Sequence, residues 1–280
     1  MTGIIDVGGG MRGIYGAGVL DRCMQDSVQF DYCCGFSAGS ANMISFLAGQ
    51  QGRNYLFYHD YAFRWQYMSM RNMLRRGSYI NLDYIYSDLS NAGSENPLAF
   101  EKVADAPGEL CVVATRASDG KPVYFSKKDV SENHYEILKA SCCIPLVCRP
   151  YIINGVKYFD GGLSDPLPIE HLLSVGCDKI VVILTRPVDY HANRQSRLEP
   201  VIRRLLTAYP QIADEVFTRH DIYDKCLDKV KKLAAAGQTL IVAPSDCCGV
   251  DTLKKTPESL DLLYQKGFED GAAVRAFLQA

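Results

Sequence analysis

An α/β fold, with a mainly parallel sheet covered by helices, is predicted by three features of the sequence. Short apolar runs alternate with helical stretches from the first residues onward, the order that βαβ units produce. The chain has 280 residues, 48% hydrophobic and 22% charged, which suits a single α/β domain with a sizeable core. No internal repeat, low-complexity stretch or Pro/Ser-rich linker divides it, so residues 1–280 are expected to form one domain.

The elements follow in order. Ile4 to Val7 is a short apolar run that ends in three glycines, and a helical pattern extends from Ile14 to Met24. Phe30 to Cys34 reads as the next strand, broken at Gly35, and Ala38 to Ala48 as a helix. Residues 53–90 are helical but irregular. Leu110 to Thr115 and Val123 to Phe125 flank Ser118-Asp119-Gly120-Lys121 and form a predicted hairpin. Tyr151 to Ile153 and Lys157 to Phe159 form a second, around Asn154-Gly155. Pro166 to Val175 reads as a helix with Gly176 past its end. Lys179 to Leu184 and Thr239 to Ala243 are buried-strand patterns separated by long amphipathic helices, and Pro257 to Leu278 is helical.

Composition narrows the function. A formal net charge of -2 gives no electrostatic case for a nucleic-acid partner. Met1 to Gly10 lack a basic start and a long apolar core, so they do not read as a signal peptide. The longest aliphatic run, Ile180 to Leu184, is too short to span a bilayer. The eleven cysteines contain no C-x-x-C, so zinc and thioredoxin-like spacings are missing. Reduced, mostly buried thiols in a cytoplasmic protein are expected.

Gly35-Phe36-Ser37-Ala38-Gly39 fits G-x-S-x-G between a predicted strand and a predicted helix. A nucleophile elbow is a sharp turn that needs small residues on both sides of the serine, and it lifts the hydroxyl to a helix N-terminus. Three fixed positions match by chance in about one chain in ten of this length, so the context carries the signal. Gly8-Gly9-Gly10-Met11-Arg12-Gly13 follows a strand and opens a helix. Backbone amides there, around Gly9, Gly10 and Met11, suit an oxyanion hole. Arg12 either orients this loop and adds positive potential or forms a surface salt bridge.

The same hexapeptide matches G-x-G-x-x-G, which makes a dinucleotide-binding oxidoreductase the alternative from another class. That fingerprint needs an acidic residue at the end of the second strand, and Asp31 lies at its other end. For the base, His171, His191 and His220 read as surface residues, since none follows a strand end. Asp160 ends a strand and is exposed by the turn at Gly161-Gly162. An Asp, with a reference pKa of about 3.9, serves as base only by direct contact with the hydroxyl.

G-G-G-x-R-G, then G-x-S-x-G, then D-G-G, in that order, resemble the patatin-like phospholipase family, in particular its compact bacterial stand-alone branch. The likeness is strongest over residues 3–50 and 140–170, including Ala140-Ser141-Cys142-Cys143-Ile144-Pro145 and Tyr158-Phe159-Asp160-Gly161-Gly162. Asp165-Pro166 departs from the family's usual polar pair, and the C-terminal third is loosely similar. The resemblance implies a three-layer α/β/α sandwich and a Ser37–Asp160 dyad without histidine. It implies the Gly8–Gly13 loop as oxyanion hole, and fatty-acyl esters of phospholipids or lysophospholipids as substrates. A small-ester or thioester hydrolase with the same dyad is the alternative within the class. No cofactor and no metal are expected.

Arg64 to Arg76, RWQYMSMRNMLRR, has two readings. The plainer is a helix with a packed and a solvated face. The other is a basic, apolar patch that makes peripheral contact with an anionic membrane.

Overall fold

The computed structural model describes residues 1–190 and 198–280. Its strands are β1 Thr2–Asp6, β2 Tyr32–Phe36, β3 Glu109–Arg116, β4 Pro122–Ser126, β5 Tyr151–Ile153, β6 Val156–Asp160, β7 Lys179–Ile183 and β8 Thr239–Val242. The helices are α1 Ile14–Gln25, α2 Ala38–Leu47, α3 Arg53–His59, α4 Met70–Arg76, α5 Phe100–Asp105 and α6 Glu136–Ser141. They continue as α7 Ile169–Ser174, α8 Glu199–Leu205, α9 Pro210–Ala235, α10 Pro257–Asp270 and α11 Ala272–Gln279.

One sheet runs in the order β5-β6-β3-β2-β1-β7-β8, with β4 paired to β3. The β3-β2-β1-β7-β8 portion is parallel, β4 and β6 pair with β3 antiparallel, and β5 pairs with β6 antiparallel. Successive side chains on a strand point to opposite faces, and both faces here are apolar. Ile4, Cys33, Val181 and Ile183 pack with α1, α2 and α10 on one side. Ile5, Cys34, Val182 and Leu184 pack with α7 and α9 on the other. The result is a three-layer α/β/α sandwich with a mainly parallel central sheet, as expected.

Three of the differences from the expected boundaries bear on the architecture. β2 does not break at Gly35: that residue stays in register, opposite Asp6 on β1 and Val112 on β3. α7 starts at Ile169, because a residue before proline disfavours helix and Leu167 precedes Pro168. The last helix divides at Gly271 into α10 and α11. All eleven cysteines are unpaired, eight of them buried.

Parallel strands bring their carboxyl ends to one edge of the sheet, where open α/β sheets bind ligands. The turns after β1, β2 and β7 meet there.

Candidate active site

Ser37 leaves β2 with φ 52° and ψ -138°, a sparsely populated region for a residue with a side chain. The surrounding glycines permit it. A Cβ on Gly35 would lie 2.6 Å from the Gly39 carbonyl oxygen, and one on Gly39 would collide with the Asp6 backbone. The Ser37 N–H donates to Ser141 Oγ at 2.9 Å, and Ser141 Oγ in turn donates to the Val113 carbonyl at 2.7 Å. Ser40 Oγ donates to the Ser37 carbonyl at 2.7 Å. The elbow is therefore braced on each side, and Ser37 is only 6% exposed.

Gly8, Gly9 and Gly10 all have positive φ, and Gly10 to Gly13 form a 3-10 turn that leads into α1. The Gly8 N–H is taken by Asp6 Oδ1 at 2.8 Å, and its carbonyl accepts from the Thr185 hydroxyl. The Met11 N–H donates to the Thr252 carbonyl at 3.0 Å. That bond corrects the inclusion of Met11 among the oxyanion donors, because its amide is already spent within the protein. Gly9 and Gly10 remain, with no acceptor for either amide among the described residues.

Asp6 was not singled out from the sequence, yet it ties loop to elbow. It is fully buried and accepts from Asn42 Nδ2 at 2.8 Å as well as from Gly8. Asn42 also donates to the Gly13 carbonyl at 2.9 Å. Burial pushes the Asp6 carboxyl up to about 6, while these donors pull it back.

Asp160, 8% exposed, closes β6 and lines the same cavity as Ser37. Its Oδ1 accepts the Gly162 N–H at 2.9 Å, so the Gly161-Gly162 turn aims the side chain. Burial holds the Asp160 carboxyl above the usual carboxylate range, and Ser37, Gly162 and the Arg219 cation each oppose that shift. The structure thus brings Ser37, Asp160 and the glycine loop, predicted from three distant segments, to one point.

Two cavities meet at Ser37. One, of about 300 Å³, is lined by Asp160, Arg12, Arg186, Tyr190, Arg219 and Tyr223 among others. The other, of about 70 Å³, is apolar, with Phe57, Tyr67, Met68, Ile80, Leu82 and Leu253 in its wall. Arg12 is not a surface residue. It is 7% exposed, pairs with Asp251, and donates to Thr252 Oγ1 at 3.1 Å.

The histidines lie elsewhere or in other roles. His171 is half-buried on the α7 side, stacked on Tyr124 at 3.9 Å and bonded to the Tyr32 hydroxyl at 2.8 Å, which corrects its reading as a surface residue. His220, on α9, lines the larger cavity and is likewise not simply solvated. His191 lies outside the described residues. Asp31, the acidic residue weighed for a ribose, stands before β2 and accepts from the Thr2 N–H at 2.7 Å. No group of three or more His, Cys, Asp or Glu among the described residues is placed to hold a metal ion.

Arg186 and Arg219 were missed. Arg186 follows β7 by three residues, at the same sheet edge as Ser37, so the strand-end rule was able to find it. Arg219 sits mid-helix in α9, where nothing local marks it.

The segment 64–76 corrects the packed-face expectation. Tyr67 is buried, but Met70 is 64% and Leu74 83% exposed, and the inward residue of α4 is Asn72. Trp65 and Phe63 are exposed beside it, and the Arg71 guanidinium lies over the Trp65 ring at 4.1 Å. Among the described residues, no helix is long and apolar enough to cross a membrane.

Comparison with known proteins adds to this geometry. A family model described as patatin-like phospholipase matches residues 7–173, a span that holds the glycine loop, Ser37 and Asp160. A second, a domain of unknown function (DUF6363), matches residues 209–278. Uncharacterized protein YjjU of Escherichia coli K12 is 32% identical over 185 residues, 64% of this chain and 50% of YjjU. Patatin-like phospholipase domain-containing protein 2 of Rattus norvegicus is 41% identical over 75 residues, 24% of this chain and 14% of that protein. Lysophospholipase NTE1 of Candida albicans is 25% identical over 194 residues, 67% of this chain and 13% of its own. The matched part thus spans half of YjjU and a smaller share of the other two. The crystal structure of VipD from Legionella pneumophila shares the fold, with a TM-score of 0.56 over 98% of this chain and 66% of VipD, at 11% identity.

Proposed function

The chain belongs to the patatin-like phospholipase family, and from that premise we propose that it is a serine acyl-hydrolase working through a Ser37–Asp160 dyad. The observation that carries the reading is the placement of Ser37, on its strained elbow, and the buried Asp160 carboxylate in the wall of one cavity, beside two glycine amides that have no acceptor among the described residues. Ser37 Oγ attacks the ester carbonyl carbon while its proton passes to Asp160. The carbonyl oxygen becomes an oxyanion and is held by the Gly9 and Gly10 amides, electrostatic stabilisation of the kind that dominates acyl transfer. Collapse breaks the ester bond, and Asp160 returns the proton to the departing alcohol oxygen. Water then attacks the acyl-serine, gives its proton to Asp160, and releases the fatty acid with Ser37 restored. A carboxyl raised by burial is a better proton acceptor than a solvated one, which narrows the mismatch with a serine hydroxyl.

The substrates proposed are fatty-acyl esters of phospholipids or lysophospholipids. Supporting this, the apolar cavity beside Ser37 suits an acyl chain and the larger cavity suits the alcohol half. The outward apolar residues of α4, with Arg71, Arg75 and Arg76, support peripheral contact with an anionic lipid surface. Met68, which lines the apolar cavity, lies two residues before this helix. The test is hydrolysis of a panel of phospholipids, lysophospholipids and short esters. Long-chain esters are expected to be preferred, and Ser37→Ala to stay folded by circular dichroism while turnover drops to background. Parental turnover by Ser37→Ala would sink the proposal; a preference for short esters moves the protein to the small-ester alternative.

A further inference from the structure

The larger cavity holds more cationic character than the chemistry at Ser37 requires. Three guanidinium groups line it, from three separate parts of the chain: Arg12 from the glycine loop, Arg186 from the turn after β7, and Arg219 from α9. Asp251 serves two of them, pairing with Arg12 and lying 3.1 Å from Arg186. Arg186 also lies over the Tyr190 ring at 4.1 Å. Arg12, although nine-tenths buried, leaves its Nε without an acceptor among the described residues. Arg219 makes no hydrogen bond or ion pair among the described residues and meets Asp160 only through its field. Asp160, Asp224 and His220 are the other titratable groups of the wall besides tyrosines.

Unpaired buried donors and crowded like charges are costly unless something answers them. Burial, the larger cause, and the neighbouring Arg186 charge hold the Arg12 guanidinium below its ordinary range, and Arg219, whose side chain is exposed at the cavity, faces the same Arg186 charge. An anion in the cavity relieves both problems together.

Direction follows from the proton. Asp160 returns it to the departing alcohol oxygen, so the alcohol half of the ester lies on the Asp160 side of Ser37. That side is the arginine-lined cavity, and the acyl half is left to the apolar one.

We propose that Arg186 and Arg219 are specificity-determining residues that select acyl esters whose alcohol half carries a compact anion, a phosphomonoester above all. This rests on the acyl-hydrolase reading for its orientation, but the recognition is separable from turnover. Planar guanidinium forks suit phosphate oxygens in a way that lone ammonium groups do not. Arg186 and Arg219 both lie beyond residue 173, where the phospholipase family model ends, so this selectivity belongs to the later part of the chain.

The test is binding to Ser37→Ala protein, with turnover measured separately on the parental protein. The probes are a 1-acylglycerol 3-phosphate, the neutral 1-acylglycerol with the same chain, and inorganic phosphate. The acylglycerol phosphate should bind about tenfold to a hundredfold more tightly than the neutral ester, the span of one added charge-assisted hydrogen bond. Adding Arg186→Gln and Arg219→Gln should bring the two within about threefold, and lysine at both positions should recover part of the difference. If the double variant does not fold, each single variant is expected to lose part of the preference. A ratio near one at the start, or one unchanged in the variants, overturns the proposal, as does inorganic phosphate binding as tightly as the lipid. Anion preference without turnover contradicts the hydrolase reading and supports the site. Turnover of both esters without preference contradicts the site and leaves the hydrolase reading intact.

Discussion

Asp160 sits between two opposed influences on its proton. Burial raises its carboxyl, and Ser37, Gly162 and the Arg219 charge lower it again, with the net shift upward. Only the ionised form accepts the serine proton. The acid limb of kcat/KM should therefore lie above the ordinary Asp value of about 3.9, with activity lost as pH falls through it. Arg219→Gln removes a cation that favours the carboxylate, so the limb should move further up; a pH–rate profile of both proteins checks this. A limb at or below the ordinary value contradicts the proposed base. Gly10 makes a second point at this scale. Its φ is +62° and a Cβ would collide with the Thr252 carbonyl. Gly10→Ala should cost about 10² to 10³ in turnover although it removes no functional group, the usual loss for one oxyanion donor. Met11→Leu should be nearly neutral, since the Met11 amide already serves Thr252. A folded Gly10→Ala enzyme at the parental rate would mean that the oxyanion is held elsewhere.

Elements whose roles are written locally were legible in the sequence. The run Ile4 to Gly13 carries a strand, a glycine turn and a helix start in ten residues, and Cys33 to Ala41 does the same for the elbow. Both hairpins were marked by turn residues. α4 was misread for a physical reason. Its spacing of Met70, Met73 and Leu74 suggests a packed face, but Asn72 turns inward, where its Nδ2 donates to the Trp65 carbonyl at 3.2 Å and the Gln66 carbonyl at 3.1 Å. Satisfying those carbonyls orients the short helix and leaves Met70 and Leu74 outside. Replacing both by Glu deletes apolar surface and adds charge on that face, so sedimentation with anionic phosphatidylserine vesicles should fall about tenfold or more. Hydrolysis of a monomeric short-chain ester should hold. Unchanged vesicle binding assigns α4 no part in lipid contact.

Across the whole molecule, the later segments do more than follow the motif-bearing part. β8 pairs with β7 in the same sheet, α10 packs on α1, and the Thr252 loop anchors both Met11 and Arg12. The region matched by the second family model thus braces the glycine loop and supplies Arg219. The contacts of the Thr252 loop and of α10 with the glycine loop and α1 were not legible beforehand, because residues more than two hundred positions apart leave no local pattern. His220, on α9, lines the same cavity as Asp160. The most direct test is the rate at which a fluorophosphonate labels the parental protein, Asp160→Asn and His220→Ala, followed by intact mass and peptide mapping. The dyad predicts one adduct, on Ser37, about 10² to 10⁴ slower labelling in Asp160→Asn, and near-parental labelling in His220→Ala. An adduct on another residue, or a His220 variant as slow as Asp160→Asn, would contradict it.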